Sequence, residues 1–128
     1  GFTFDNDDLR YGEWNRESGY REAPYLLEKD ISAIFCMNDS MAAGVYDFMY
    51  ERGMTVGEDL SVVGYDNKDL SDYLRPRLTT NELPLKKIGN KAAEILLDLL
   101  EAGEEQPQTT DVIKIPCEMI YRESVLKV

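Results

Sequence analysis

The sequence has no histidine and only two cysteines in 128 residues. Without histidine, Ser-His-Asp and Cys-His catalysis, histidine-ligated metals and a histidine pH switch are excluded. Cys36 and Cys117 form no Cys-x-x-Cys pair and outline no disulfide scaffold; Cys36, inside an apolar run, reads as a buried reduced thiol. Positive charge is scarce as well. Fourteen Lys and Arg face 25 Asp and Glu, a net charge of −11. Such a field repels DNA and acidic membranes, so these residues alone should not hold nucleic acid. No apolar run is long enough to cross a bilayer, and no Gly-x-Gly-x-x-Gly or Walker pattern cradles a phosphate. Asp5, Asn6, Asp7 and Asp8 suggest a calcium loop, but Arg10 and Arg16 fall where that loop needs Gly and Glu. No metal and no cofactor is expected.

What is present reads as one domain, with 43% hydrophobic residues supplying a core. Leu9, Tyr11 and Trp14 suggest a short strand and its exit. Asn15 caps an expected helix to about Lys29, kinked at Pro24. Ile31 to Met37 is a continuous apolar run of the kind found in strands covered on both faces. A helix follows the capping triplet Asn38-Asp39-Ser40, with Met41, Val45, Phe48 and Met49 on one face and Gly53 as terminator. Leu60 to Tyr65 makes another buried strand, Lys68 to Pro76 a loop or short helix, and Leu78 to Thr80 an extended piece. Pro84 opens the clearest helix, striped by Leu85, Ile88, Ala92, Leu96, Leu99 and Leu100 and closed by Gly103. After the polar connector 104–111, Val112 to Ile115 and Cys117 to Tyr121 read as edge strands separated by Pro116. Alternation of this kind predicts an α/β fold, a doubly wound parallel sheet with helices on both faces.

In such sheets ligands bind beyond the carboxyl ends of the strands. Trp14, Asn38 with Asp39, and Asp66 with Asn67 stand there. An indole face covers a sugar ring or stacks on a base, while carboxylate and amide meet hydroxyl or N–H groups. The plainer readings are an N-cap for Asp39 and Asp66 and core packing for Trp14.

Five segments in register then resemble the effector-binding core of the lactose-repressor and galactose-repressor family of bacterial transcription regulators. They are Gly12-Glu-Trp-Asn-Arg-Glu-Ser-Gly-Tyr20, Ala33-Ile-Phe-Cys-Met-Asn-Asp-Ser-Met-Ala-Ala-Gly44, Asp59-Leu-Ser-Val-Val-Gly-Tyr-Asp66, Arg75-Pro-Arg-Leu-Thr-Thr80 and Arg122-Glu-Ser124. The resemblance implies one lobe of a type I periplasmic-binding-protein-like fold. Residues 1–128 would form part of the effector-binding and dimerisation domain, with 81–103 the crossover helix of the other lobe and the DNA-binding domain outside them. It assigns the effector site to Glu13, Trp14, Asn38 and Asp66, with Leu83 and Leu85 on the pocket wall, where Leu weakens polar recognition. Dimer contacts are assigned to Ala43, Tyr46, Leu70 and Leu74; ordinary surface or core packing is the equal alternative for Tyr46.

The function implied is effector sensing in a sugar- or nucleoside-responsive, cytoplasmic, homodimeric repressor that does no chemistry on its ligand and meets DNA only through a separate helix-turn-helix. A periplasmic-type sugar-binding protein of a transport system is the alternative. No signal peptide opens the chain, and a doubly wound enzyme would need a nucleophile, phosphate loop or metal cluster. The stripe on the helix opened by Pro84 is expected to fold back on the lobe or pair with a second chain.

Overall fold

Side-chain caps start the first two α-helices. The computed structural model describes residues 5–102 and 112–126; the expected terminator Gly103 and the connector 104–111 lie outside them. Asn15 accepts a hydrogen bond from the Ser18 amide and starts α1, Arg16–Leu27. Asn38 does the same for Met41 and starts α2, Asp39–Glu51. Gly53, at φ 69°, turns the chain away after α2. The remaining elements are β1 (Ala33–Phe35), β2 (Ser61–Asp66), α3 (Leu70–Tyr73), β3 (Thr79–Glu82), α4 (Leu85–Ala102) and β4 (Met119–Ile120).

The sheet runs β1-β2-β3-β4, the first three strands parallel and β4 antiparallel to β3. Each parallel step moves to the next strand in the same direction, so right-handed crossovers carry α2 and α3 to one face, and these helices touch each other. Beneath them lies a core of Ile34, Cys36, Val45, Phe48, Met49, Leu60, Val62 and Leu78. Complete burial of side chains such as Met49, Leu60 and Leu78 stabilises by about 1.5–3 kcal/mol each.

α1 packs on α2 rather than on the sheet, and glycine allows the approach. A Cβ at Gly44 would overlap the backbone of Arg16 and Tyr20, and one at Gly19 the backbone of Met41. The two helices therefore meet main chain to main chain, with the Tyr20 and Phe48 rings edge to face at 5.7 Å.

Three expectations about strands are corrected. Leu9 to Tyr11 forms no strand; a 3-10 turn at Asn6–Asp8 precedes it and Tyr11 is exposed. The apolar run at Ile31 to Met37 is covered on one face only: Ile34 and Cys36 are buried, while Phe35 and Met37, pointing to the opposite face, are each 55% exposed. Val112 to Ile115 is not in a strand, and among the described residues of this segment Met119–Ile120 is the stretch that pairs with β3.

The chain divides into two units, residues 1–82 with 119–128, and residues 83–118. The second contains α4, on which Leu85, Leu96, Leu97 and Leu100 are exposed. The first contains the sheet and everything described next, Leu83 and Leu85 excepted.

Candidate functional site

The carboxyl end of β1 leads directly into Asn38, whose side chain is used at both ends. Its oxygen accepts from the Met41 amide at 2.7 Å and its nitrogen donates to the Trp14 carbonyl at 2.9 Å. The turn before α1 is held equally firmly. Ser18 Oγ accepts from the Glu13 amide at 2.9 Å and donates to the Asn15 carbonyl at 2.9 Å. Between these anchors Trp14 adopts φ 63°, in the left-handed region, and its side chain is left 66% exposed. Bulky residues avoid that conformation unless their surroundings impose it.

The end of β2 has the same character. Asp66 has φ 104° and Asn67 φ 53°; with Trp14 they are the non-glycine residues of positive φ among those described. Asp66 pairs with Lys68 at 3.1 Å while its carboxylate remains partly open to solvent. Behind this turn Asp39 is fully buried at the start of α2. Its carboxylate accepts from the Lys68 amide at 2.7 Å and from Thr80 Oγ1 at 2.6 Å, which ties the ends of β1, β2 and β3 together. Burial raises the Asp39 pKa, and the bonds from Thr80 and Lys68 work against that shift. Gly64 is needed opposite, since a Cβ there would overlap Asp39 Oδ1.

Trp14 and Asp66 are thus mounted on one sheet edge through Asn38 and Asp39. Glu13 stands beside Trp14, exposed, and pairs with Arg21 at 3.4 Å. Cavities of about 610 and 710 Å³ lie elsewhere, the first beside Thr55–Glu58 and Arg122, the second along β1 and α1, and neither is lined by Trp14 or Asp66. An exposed indole suits the apolar face of a ring, and a partly open carboxylate suits hydroxyl or N–H donors. Among the described residues no group of His, Cys, Asp or Glu is arranged to hold a metal, and Asp5 and Asp8 are engaged in a local cap and a pair with Lys29.

Other assignments change. Asn38, expected to contact the effector, is 4% exposed, and its side chain is engaged by the Trp14 carbonyl and the Met41 amide. The N-cap of α2 is Asn38, with Asp39 one position inside the helix. Ala43 and Tyr46 are 0% and 6% exposed within this chain, because α2 is covered by the sheet on one side and by α1 on the other; neither is available to a partner. Leu70 and Leu74 are half-buried, at the start and just past the end of α3. Leu83 is half-buried and Leu85 exposed, both in the second unit. Burial pushes the Cys36 thiol up to about 12, consistent with an inert core residue. Arg122, whose guanidinium reaches Asn67 over 55 residues of chain, was legible only as part of a motif.

A family model for a periplasmic binding protein-like domain matches residues 5–125. The HTH-type transcriptional repressor PurR of Vibrio campbellii is 38% identical over 101 residues, covering 79% of this chain and 29% of that protein. A LacI family transcriptional regulator from Enterococcus faecalis, solved with bound ribose, superposes with a TM-score of 0.74 at 32% identity, over 91% of this chain and 43% of that one. The lac repressor dimer bound to operator and an anti-inducer gives a TM-score of 0.76 at 30% identity, over 91% of this chain and 40% of that one. The chain spans about a third of the length of the curated relatives it matches.

Proposed function

The chain belongs to the periplasmic binding protein-like domain family, with PurR and LacI-type repressors as its relatives, and we propose that it is the effector-sensing and dimerisation region of a cytoplasmic, DNA-binding repressor responsive to a sugar or nucleoside. The observation that carries this reading is Trp14. A tryptophan held in a left-handed conformation by two independent hydrogen-bond anchors, with its ring left in solvent, serves a ligand better than it serves the core.

In this reading the indole takes the apolar face of the ligand ring, and Asp66 accepts hydrogen bonds from its hydroxyl or N–H groups. Glu13 stands at the rim, and Leu83 and Leu85 belong to the wall where the chain crosses to the other lobe. The ligand works by preference: it binds the closed arrangement of two lobes more tightly than the open one, and so shifts their equilibrium. Leu70 and Leu74 belong to the face that relays the shift to a second copy. With a charge of −11, the contact with DNA phosphate falls to a separate basic module. Relatives that are repressors rather than transport proteins or enzymes support this reading over both rivals.

The test is calorimetric titration of the full-length protein with ribose, other pentoses and hexoses, and nucleosides. At least one should saturate the wild type and bind Trp14→Ala about tenfold or more weakly, since a stacking aromatic contributes ~1–3 kcal/mol. Equal affinity in the two proteins contradicts the assignment.

A further inference from the structure

The Arg122-Glu-Ser124 motif has no part in the site described so far, yet its arginine is the most heavily bonded side chain near it. Only 9% of the Arg122 side chain is exposed. Nη1 donates to the Leu78 carbonyl at 2.7 Å and to Ser71 Oγ at 3.2 Å, and Nη2 donates to Asn67 Oδ1 at 3.0 Å. Nε pairs with Asp72 at 3.1 Å. All four partners lie in the connection between β2 and β3. The arginine is itself fixed, its amide donating to Thr79 Oγ1 at 2.9 Å. Ser124 fastens the same segment to the sheet by accepting from the Thr79 amide at 2.8 Å and donating to the Val62 carbonyl at 2.6 Å.

The connection that Arg122 grips begins at Asp66 and Asn67 and continues into Leu70 and Leu74. Its first turn is also caught by Asp39 through the Lys68 amide, and the buried Ser71 hydroxyl donates to the Lys68 carbonyl at 2.7 Å. We propose that Arg122 is a positioning residue that makes residues 66–74 a single stiff piece, so that displacement of the Asp66-Asn67 turn is carried to Leu70 and Leu74. The coupling half of this rests on the effector and dimer assignments given above; the stiffness half does not. A planar guanidinium with donors in a fixed fork holds four partners at set angles, which a lysine ammonium does not.

The experiment has two arms on the full-length protein, comparing Arg122→Gln and Arg122→Lys with Arg77→Gln, which loses only the exposed pair of Arg77 with Glu123. In hydrogen exchange, amides 67–74 should speed up together by about tenfold in Arg122→Gln and less in Arg122→Lys, with α2 and β1 unchanged and Arg77→Gln like wild type. Unchanged protection of 67–74 overturns the proposal. So does a loss shared evenly by every amide of the sheet. Should Arg122→Gln not fold, Arg122→Lys supplies the same comparison. In sedimentation, Asp66→Ala should alter the dimer dissociation constant by about fivefold or more with Arg122 present and not in the Arg122→Gln background. An equal effect in both backgrounds overturns the coupling. A Leu74→Glu protein that remains fully dimeric, together with selective loosening of 67–74, shows that the dimer assignment has failed while Arg122 still stiffens the segment.

Discussion

Asn38 donates a 2.9 Å hydrogen bond to the carbonyl of Trp14, 24 residues earlier in the chain, while capping α2 with its other side-chain atom. One amide therefore does two separable things. Asn38→Ala should cost about 1–2 kcal/mol in urea unfolding, the range for a lost N-cap. Asn38→Ser keeps a capping oxygen but has no donor long enough for Trp14. It should recover most of the stability and little of the ligand affinity. Equal recovery of both would mean that the tie to Trp14 is incidental.

Asp39 and Thr80 form the buried joint between helix and sheet. Asp39→Ala leaves Thr80 Oγ1 and the Lys68 amide without their acceptor, at about 1–3 kcal/mol for the buried Thr80 hydroxyl left unpaired. Thermal unfolding of this variant should fall well below that of an exposed control such as Glu17→Ala. A shift no larger than the control's contradicts the role given to the joint.

Gly44→Ala should destabilise by about 1–3 kcal/mol, the usual range for overpacking, because the methyl group meets the α1 backbone, which cannot swing aside as a side chain can. Gly89, with open space around it, is the internal control. There Ala should be neutral or stabilising by about 1 kcal/mol, as expected for glycine inside a helix.

Acid should weaken the ion pairs of Glu22 and Glu123. Arg21 and Arg10 hold Glu22 below its ordinary value of 4.5, and Arg77 does the same for Glu123. A carboxylate whose folded pKa is depressed contributes fully above its unfolded pKa and loses that contribution as pH falls through the folded one. Asp39, raised by burial, has the opposite sign: its penalty grows as pH rises from its unfolded value of 3.8. The urea midpoints of wild type and Glu22→Gln should therefore differ most above pH 4.5, the unfolded reference for Glu22, and converge as pH falls below it. A difference that grows on acidification contradicts the assigned pair.

The exposed stripe on α4, with Leu96 and Leu100 58% and 69% exposed, predicts self-association of the 128-residue chain on its own. Sedimentation should show concentration-dependent oligomers that Leu96→Glu with Leu100→Glu removes. A monodisperse wild-type monomer contradicts it.

Local chemistry made much of this fold legible in the sequence. Asn15, Gly53 and Pro84 mark helix ends because capping and φ preferences act within a few residues, and the apolar runs at β1 and β2 locate the sheet. What failed depends on neighbours that periodicity does not report. Phe35 and Met37 look like core until one face of β1 proves to be uncovered, and Leu9 to Tyr11 look like a strand until no ladder forms. Ala43 and Tyr46 are assigned to dimer contacts through the resemblance, and nothing local announces that Gly44 brings a second helix against α2 and buries them. At the site, Trp14 and Asp66 were visible as residue types at strand and helix boundaries. The left-handed backbone at Trp14 and the reach of Arg122 across 55 residues of chain are tertiary facts with no local signal.

The central claim is that the Trp14 ring is a ligand platform, and its exposure makes the claim directly measurable. Trp14 is the only tryptophan of these 128 residues, so its emission in the full-length protein is the difference between wild type and Trp14→Phe. Acrylamide should quench that component readily in the free protein. At saturating ribose, or whichever sugar or nucleoside the titrations select, it should be quenched markedly less. Quenching of Trp14 that is the same with and without saturating ligand would contradict the account.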